Sequence, residues 1–225
     1  MLTTKYQIPT RNLRYERKYR IEGLSPALIL QGLRMHPAGF RLLHPERQVN
    51  NVYFDTPGFS TYKDNVEGLA ERRKYRVRWY GTETLNIEEP VLEIKFRNNE
   101  VGDKKNYQLE AFSFLEIKKL VTQVNNLCPE TGKALRPTLF NSYQRLYLAT
   151  PNKEFRITLD WNLRFAPMMP EAFISKHHLN ESNICILELK YDESRDSVAD
   201  RITQYLPYRR SKNSKYVSGI DLCYW

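Results

Sequence analysis

Polar and apolar residues alternate along most of this chain in runs separated by turn-forming residues, a pattern that predicts strands whose two faces differ in chemistry. The runs are Leu13–Ile21, Val49–Asp55, Glu71–Tyr80, Pro90–Arg97, Tyr143–Ala149, Phe155–Phe165 and Ile184–Tyr191. Helical spacing is confined to three stretches. Ser25 followed by Pro26 is an N-cap with proline at the first helical position and opens a helix over Ala27–Met35. Phe112–Leu127 and Ser194–Leu206 carry apolar residues at helical spacing, and Pro129–Pro137 predicts a long surface loop. With no repeat and no linker, the expectation is one domain over residues 1–225, α+β and mainly antiparallel β.

The polar faces carry opposite charges side by side. In a strand, residues two apart share a face, so Arg72, Lys74, Arg76 and Arg78 project together, opposite Arg73, Tyr75, Val77 and Trp79. Val91, Glu93, Lys95 and Arg97 oppose Leu92, Ile94 and Phe96, while Ile184, Ile186, Glu188 and Lys190 oppose Cys185, Leu187 and Leu189. Arg156, Thr158, Asp160, Asn162 and Arg164 oppose Ile157, Leu159, Trp161, Leu163 and Phe165. Such faces form either an open sheet with a wet basic surface or a barrel with a charged lumen, and the number of strands favours the barrel. Cations converging on a lumen repel one another unless a polyanion, carboxylates or a carboxylate-held metal offsets them.

Composition narrows the partner. Lys plus Arg total 35 against 26 Asp plus Glu, a net charge of +9, which points to an anionic ligand: nucleic acid, an acidic membrane, nucleotide or phosphate. Cys128, Cys185 and Cys223 are too scattered for a zinc site or a disulfide framework and fit a reducing, cytoplasmic setting, with Cys185 in the core. Met1–Ile8 lacks the apolar centre of a signal peptide, and no run reaches the roughly 18 apolar residues of a membrane span. His177-His178 reads as loop, because adjacent residues do not chelate from one face. Asp55-Thr56-Pro57-Gly58 reads as a strand end and turn.

Arg14-Tyr15-Glu16-Arg17-Lys18-Tyr19, Val52-Tyr53-Phe54-Asp55-Thr56, Arg76-Val77-Arg78-Trp79-Tyr80, Leu92-Glu93-Ile94-Lys95, Tyr143-Gln144-Arg145, Arg156-Ile157-Thr158-Leu159-Asp160, Leu187-Glu188-Leu189-Lys190 and Ser211-Lys212-Asn213-Ser214-Lys215-Tyr216 follow one another in this order. Together, from Leu13 to Gly219, they resemble the VTC domain, the polyphosphate polymerase module within the triphosphate tunnel metalloenzyme superfamily. The resemblance implies an eight-stranded antiparallel tunnel barrel with flanking helices, using Mn²⁺ or Mg²⁺. It implies Arg76, Arg78, Lys95 and Arg145 as catalytic groups and Lys18, Lys74, Arg156 and Lys190 as phosphate ligands. Lys212, Ser214 and Lys215 would form a mobile C-terminal element that closes on phosphates, and Tyr53-Phe54-Asp55 would have a structural role. Glu188 would be the metal carboxylate, with Glu16 and Glu93 as further metal candidates. Many hydrolytic relatives carry Glu-x-Glu-x-Lys on the first strand; here Arg14 replaces the first glutamate, which disfavours a two-metal hydrolytic layout.

The expected function is therefore transfer of the terminal phosphate of ATP to a growing polyphosphate, with a membrane partner protein for export and no nucleic-acid partner. Two alternatives stay open: hydrolysis of a triphosphate or nucleoside triphosphate in the same tunnel, and non-catalytic binding of polyphosphate or nucleic acid. The 15 tyrosines speak for the last. However, Tyr15, Tyr19 and Tyr75 lie opposite the basic faces and read as packing.

Overall fold

The structure is a computed structural model; it describes residues 14–82, 85–98, 101–168 and 179–225. Leu13, Met1–Ile8 and His177-His178 lie outside the described residues.

Eight long strands form the wall: β1 (Arg14–Glu22), β2 (Arg41–Asp55), β3 (Glu71–Tyr80), β4 (Val91–Asn98), β5 (Val101–Gln108), β6 (Arg136–Ala149), β7 (Phe155–Pro167) and β8 (Ile184–Asp192). Among the described residues every pairing is antiparallel, in the order β1-β8-β7-β6-β2-β3-β4-β5, with a short strand Leu179–Glu181 added to β7. Among the described residues the α-helices are α1 (Pro26–Met35), α2 (Ser60–Glu67), α3 (Ile117–Leu127), α4 (Asp196–Thr203) and α5 (Lys215–Tyr224). As expected, Ser25 caps α1 by accepting from Leu28 N.

The sheet curls on itself, yet its hydrogen-bonded circuit stays open between β1 and β5 among the described residues. The C-terminal segment explains why. Arg210 bridges Tyr19, Ser211 N donates to Lys18 O at 2.8 Å, and Arg20 N donates to Ser211 Oγ at 3.0 Å. The second edge of β1 is thus covered by a loop rather than by β5, which removes an unpaired ladder without closing the barrel.

Three apolar clusters hold the wall. One joins Tyr75, Val77, Trp79, Leu92 and Ile94 to Phe114, Leu120 and Val124 around α3; a second joins Tyr19, Ile157, Leu159, Leu187 and Leu189 to Ile29, Leu33 and Ile202 beneath α1 and α4. These are the outward faces expected from alternation, and Tyr19, Tyr75 and Cys185 are buried there. The third cluster lies on the concave side: Val49, Tyr53, Leu139, Tyr143, Leu163, Phe165, Ile184 and Ile186 pack against Tyr216 and Ile220 of α5. A charged lumen throughout was expected; instead this part is dry and sealed by a helix. Gly219 makes the fit possible, since a Cβ there would run into the Leu139 and Phe165 side chains.

The alternation of β7 breaks where this cluster begins. Asn162 adopts φ 52°, and the register slips between Ser142 and Gln144, so two residues of β7 oppose Tyr143. Asp160 and Leu163 consequently both face inward, against the expected single face running Arg156 to Arg164. Other boundaries differ too. Phe112–Ser113 is a short strand and Phe114–Glu116 a 3-10 turn ahead of α3, and the loop expected over Pro129–Pro137 ends where β6 begins at Arg136. Strand β5 and helices α2 and α5 are additional elements.

Candidate functional site

Alternation places the basic faces of β3 and β4 opposite those of β1 and β8 across the concave surface. Cross-strand register sets their neighbours: Lys18 beside Glu188, Glu16 beside Lys190, Arg76 beside Glu93, Lys74 beside Lys95, and Arg145 beside Asp160.

Two buried carboxylates fix the arginines. Arg76 Nε donates to Glu93 Oε2 at 2.5 Å; Glu93 Oε1 also receives Lys104 Nζ at 3.1 Å and lies 3.5 Å from Arg78 Nη1. Arg78 donates onward to Asn51 Oδ1 at 3.0 Å and Tyr143 OH at 3.3 Å. Burial pushes the Glu93 carboxyl up, but Arg76 and Arg78 outweigh it and hold it well below the carboxylate range. Asp160, fully buried, grips Arg145 through Nε at 2.5 Å and Nη2 at 2.7 Å, and Lys215 Nζ through Oδ2 at 2.6 Å. Burial likewise opposes its charge, and Arg145 and Lys215 overcome it. Side chains held this way are pre-set in one geometry.

Glu188 meets Lys18 at 3.4 Å, Lys190 at 2.9 Å and Lys215 at 3.9 Å, and Glu16 meets the same Lys18 and Lys190 at 3.4 Å each. Sharing two lysines draws these carboxylates to one spot. Among the described residues no three acidic, histidine or cysteine side chains form a metal cage. Thr158 Oγ1, on the strand position opposite Glu188, is buried without a hydrogen-bond partner among the described residues. Two carboxylates beside an unsatisfied hydroxyl suit a Mg²⁺ or Mn²⁺ ion that takes most of its oxygens from substrate phosphates. Glu93 shares no cation with this pair, and both its oxygens are engaged by basic groups.

Lys74 and Lys95 stand apart. They face each other directly across β3 and β4, where opposed Cβ atoms lie about 5 Å apart and like charges are destabilising. Lys74 donates to the neutral Ser214 Oγ at 2.8 Å, and neither lysine makes an ion pair among the described residues. Burial, then Lys18, Arg72 and Arg76, brings Lys74 down to about 7; Arg76, then burial, lowers Lys95 well below the lysine range.

The segment before α5 ties the two walls together. Lys18 Nζ donates to Asn213 O at 3.2 Å, Ser214 both receives Lys74 and caps α5 at Val217 N, and Lys215 reaches Asp160. The element expected to close on phosphates opens a helix here, with Ser214 as its N-cap and Lys215 buried. Lys212 and Arg156 are exposed at the rim. Asp55, read from sequence as a strand end and turn, is a fully buried hub beneath this segment. It accepts from Thr56 N, Thr61 N, Tyr62 N and Tyr216 OH, which joins β2, α2 and α5.

A lysine whose folded-state pKa is depressed leaves the unfolded chain binding more protons, so stability rises with pH in the window from about 7 to the ordinary lysine value. The ligand-free protein is expected to gain stability across that window, and Lys74→Met is expected to flatten the rise. Thermal unfolding at stepped pH measures both, and identical slopes for the two proteins would contradict the assignment.

No protein of curated function matches the sequence. Solved structures that share the fold include the following three. A candidate adenylate cyclase from Vibrio parahaemolyticus is 13% identical over 93% of this chain and 99% of that one, with a TM-score of 0.55. A protein from Pyrococcus horikoshii OT3 is 11% identical over 92% and 99%, again at 0.55. A candidate adenylate cyclase from Bacillus halodurans is 13% identical over 95% and 98%, also at 0.55. At these identities the likeness is one of fold alone. The VTC domain profile, however, matches residues 2–224 and so runs from the first wall strand through the helix that seals the concave face. By that match this chain, with its eight curled strands and facing rows of lysine and arginine, belongs to the VTC domain family.

Proposed function

We propose that this chain transfers the terminal phosphate of ATP to a growing inorganic polyphosphate within the cupped face of its sheet. The observation that carries the reading is the Lys74–Lys95 pair: two half-buried lysines side by side among other cations, with no ion-pair partner among the described residues, set between arginines already anchored by carboxylates. An anion is the missing counter-charge there, and a phosphate chain supplies several in a row.

Arg76, Arg78, Lys95 and Arg145 would offset charge on the transferring group. Glu93 and Asp160 hold three of these cations in place before substrate arrives. Lys18, Lys74, Lys190 and Lys215 would grip the neighbouring phosphates, with Ser214 positioning Lys74, while Arg156 and Lys212 draw the anion in at the rim. No general base is needed, because a phosphate acceptor is already ionised. A divalent ion bound at Glu188 and Glu16 would neutralise charge on the phosphate oxygens. No helix among the described residues is long and apolar enough to cross a membrane. We place the reaction in the cytoplasm, with export left to a membrane partner.

Purified protein incubated with γ-labelled ATP and Mn²⁺, its products resolved by electrophoresis, tests the reading. A ladder of phosphate chains is expected. Free phosphate without chain growth would establish the hydrolase alternative instead, and neither product from folded protein would overturn the enzymatic reading.

A further inference from the structure

At the end of the trough away from α5, two tyrosines and an arginine form a cluster that the phosphate chemistry does not use. Tyr80 closes β3 with 49% of its surface exposed, and Tyr147 lies two residues beyond Arg145 on the same inward face of β6. The Arg47 guanidinium stacks over both, 5.7 Å from the Tyr80 ring centroid and 6.0 Å from that of Tyr147, while Arg145 covers Tyr147 from within at 5.7 Å. His44 meets the Tyr147 ring edge-on with centroids 5.6 Å apart. Arg47 and Arg145 occupy opposed positions on β2 and β6.

Tyr80 leaves half its aromatic surface open at the mouth of the anion site, and a flat, electron-rich group can stack there with the tyrosine and the guanidinium. We propose that Tyr80, with Tyr147 and Arg47, is a stacking platform for the base of a nucleoside triphosphate whose phosphates run inward past Arg145. The inference rests on the phosphate reading of the trough and names the part of the substrate that reading leaves unplaced. Arg145 joins the two halves, because it contacts the Tyr147 ring on one side and Asp160 on the other. The buried, unsatisfied Thr158 hydroxyl lies on the strand position opposite Tyr147, between the platform and Glu188, where a ribose or α-phosphate oxygen would satisfy it.

Stacking reads a flat π-face, so a nucleotide should bind roughly tenfold or more tighter than its bare phosphate chain. Calorimetric titration of wild type, Tyr80→Ala and Tyr80→Phe with the non-hydrolysable β,γ-imido analogue of ATP and with inorganic tripolyphosphate tests this. The expected result is about tenfold weaker nucleotide binding in Tyr80→Ala, near-wild-type binding in Tyr80→Phe, and tripolyphosphate affinity unchanged in all three. Equal affinity for both ligands in wild type, or an equal loss for both in Tyr80→Ala, would overturn the platform while leaving the phosphate site intact. Failure of tripolyphosphate to bind wild type would overturn the phosphate reading itself, and the platform with it.

Discussion

Replacing Asp160 with alanine is expected to cost about 3–5 kcal/mol of folding stability, because it strands the buried Arg145 without its ion-pair partner and leaves the buried Lys215 only the more distant Glu188. Asp160 takes both prongs of the Arg145 guanidinium and the Lys215 ammonium, and all three residues are below 10% exposed. The loss should show as a lower urea midpoint with an unchanged slope, since the denatured chain is not altered. Saturating tripolyphosphate should recover part of it, because an anion seated at Arg145 and Lys215 does the work of the missing carboxylate. A loss below about 1 kcal/mol would mean that the pair is solvated rather than buried.

The second large effect has two signs. Lys74→Met together with Lys95→Met removes the repelling pair, so the ligand-free protein should become more stable. Tripolyphosphate affinity should meanwhile fall about a hundredfold or more, as two charge-assisted hydrogen bonds of about 1.5–3 kcal/mol each are lost. Stability and binding moving in opposite directions is the signature of a site that stores repulsion until its ligand arrives. A purely structural lysine pair would lose both together. Thermal unfolding and calorimetric titration on the same samples separate the two outcomes.

The sheet was legible in the sequence wherever a strand keeps one wet and one dry face. Glu71–Tyr80 has the bounds read from alternation, and Tyr75, Val77 and Trp79 are buried on the expected side. Legibility failed where the concave side itself turns dry. Leu163 and Phe165 are apolar, like the outward Ile157 and Leu159, and only the left-handed Asn162 switches their side; nothing in an alternating string marks that slip. Helix α5 was missed because Gly219 breaks its local propensity, yet the same glycine is what lets the helix dock. Strand β5 carries Asp103, Lys104, Lys105 and Asn106 in succession, which hides any period of two.

The site was legible as a set of charges but not as a circuit. Alternation gives Lys74, Arg76 and Arg78 a shared face, but it does not say which cation has a carboxylate partner, since that depends on cross-strand register. Register pairs Arg76 with Glu93 and Lys74 with Lys95, and so separates anchored arginines from repelling lysines. Asp55 shows the same limit. Its short range suggested a turn, whereas its hydroxyl partner Tyr216 is 161 residues away.

The central claim is that unpaired lysines make the trough an anion site, and proton uptake on binding tests it most directly. At pH 8 Lys74, lowered to about 7, is largely neutral, and Lys95 is lowered in the same direction. A phosphate chain beside them raises both values, so binding must draw protons from solvent. Tripolyphosphate titrated calorimetrically in two buffers of different ionisation enthalpy should report net uptake for wild type and much less for the Lys74→Met, Lys95→Met protein. Binding with no proton uptake, or uptake that the double substitution leaves unchanged, would contradict it.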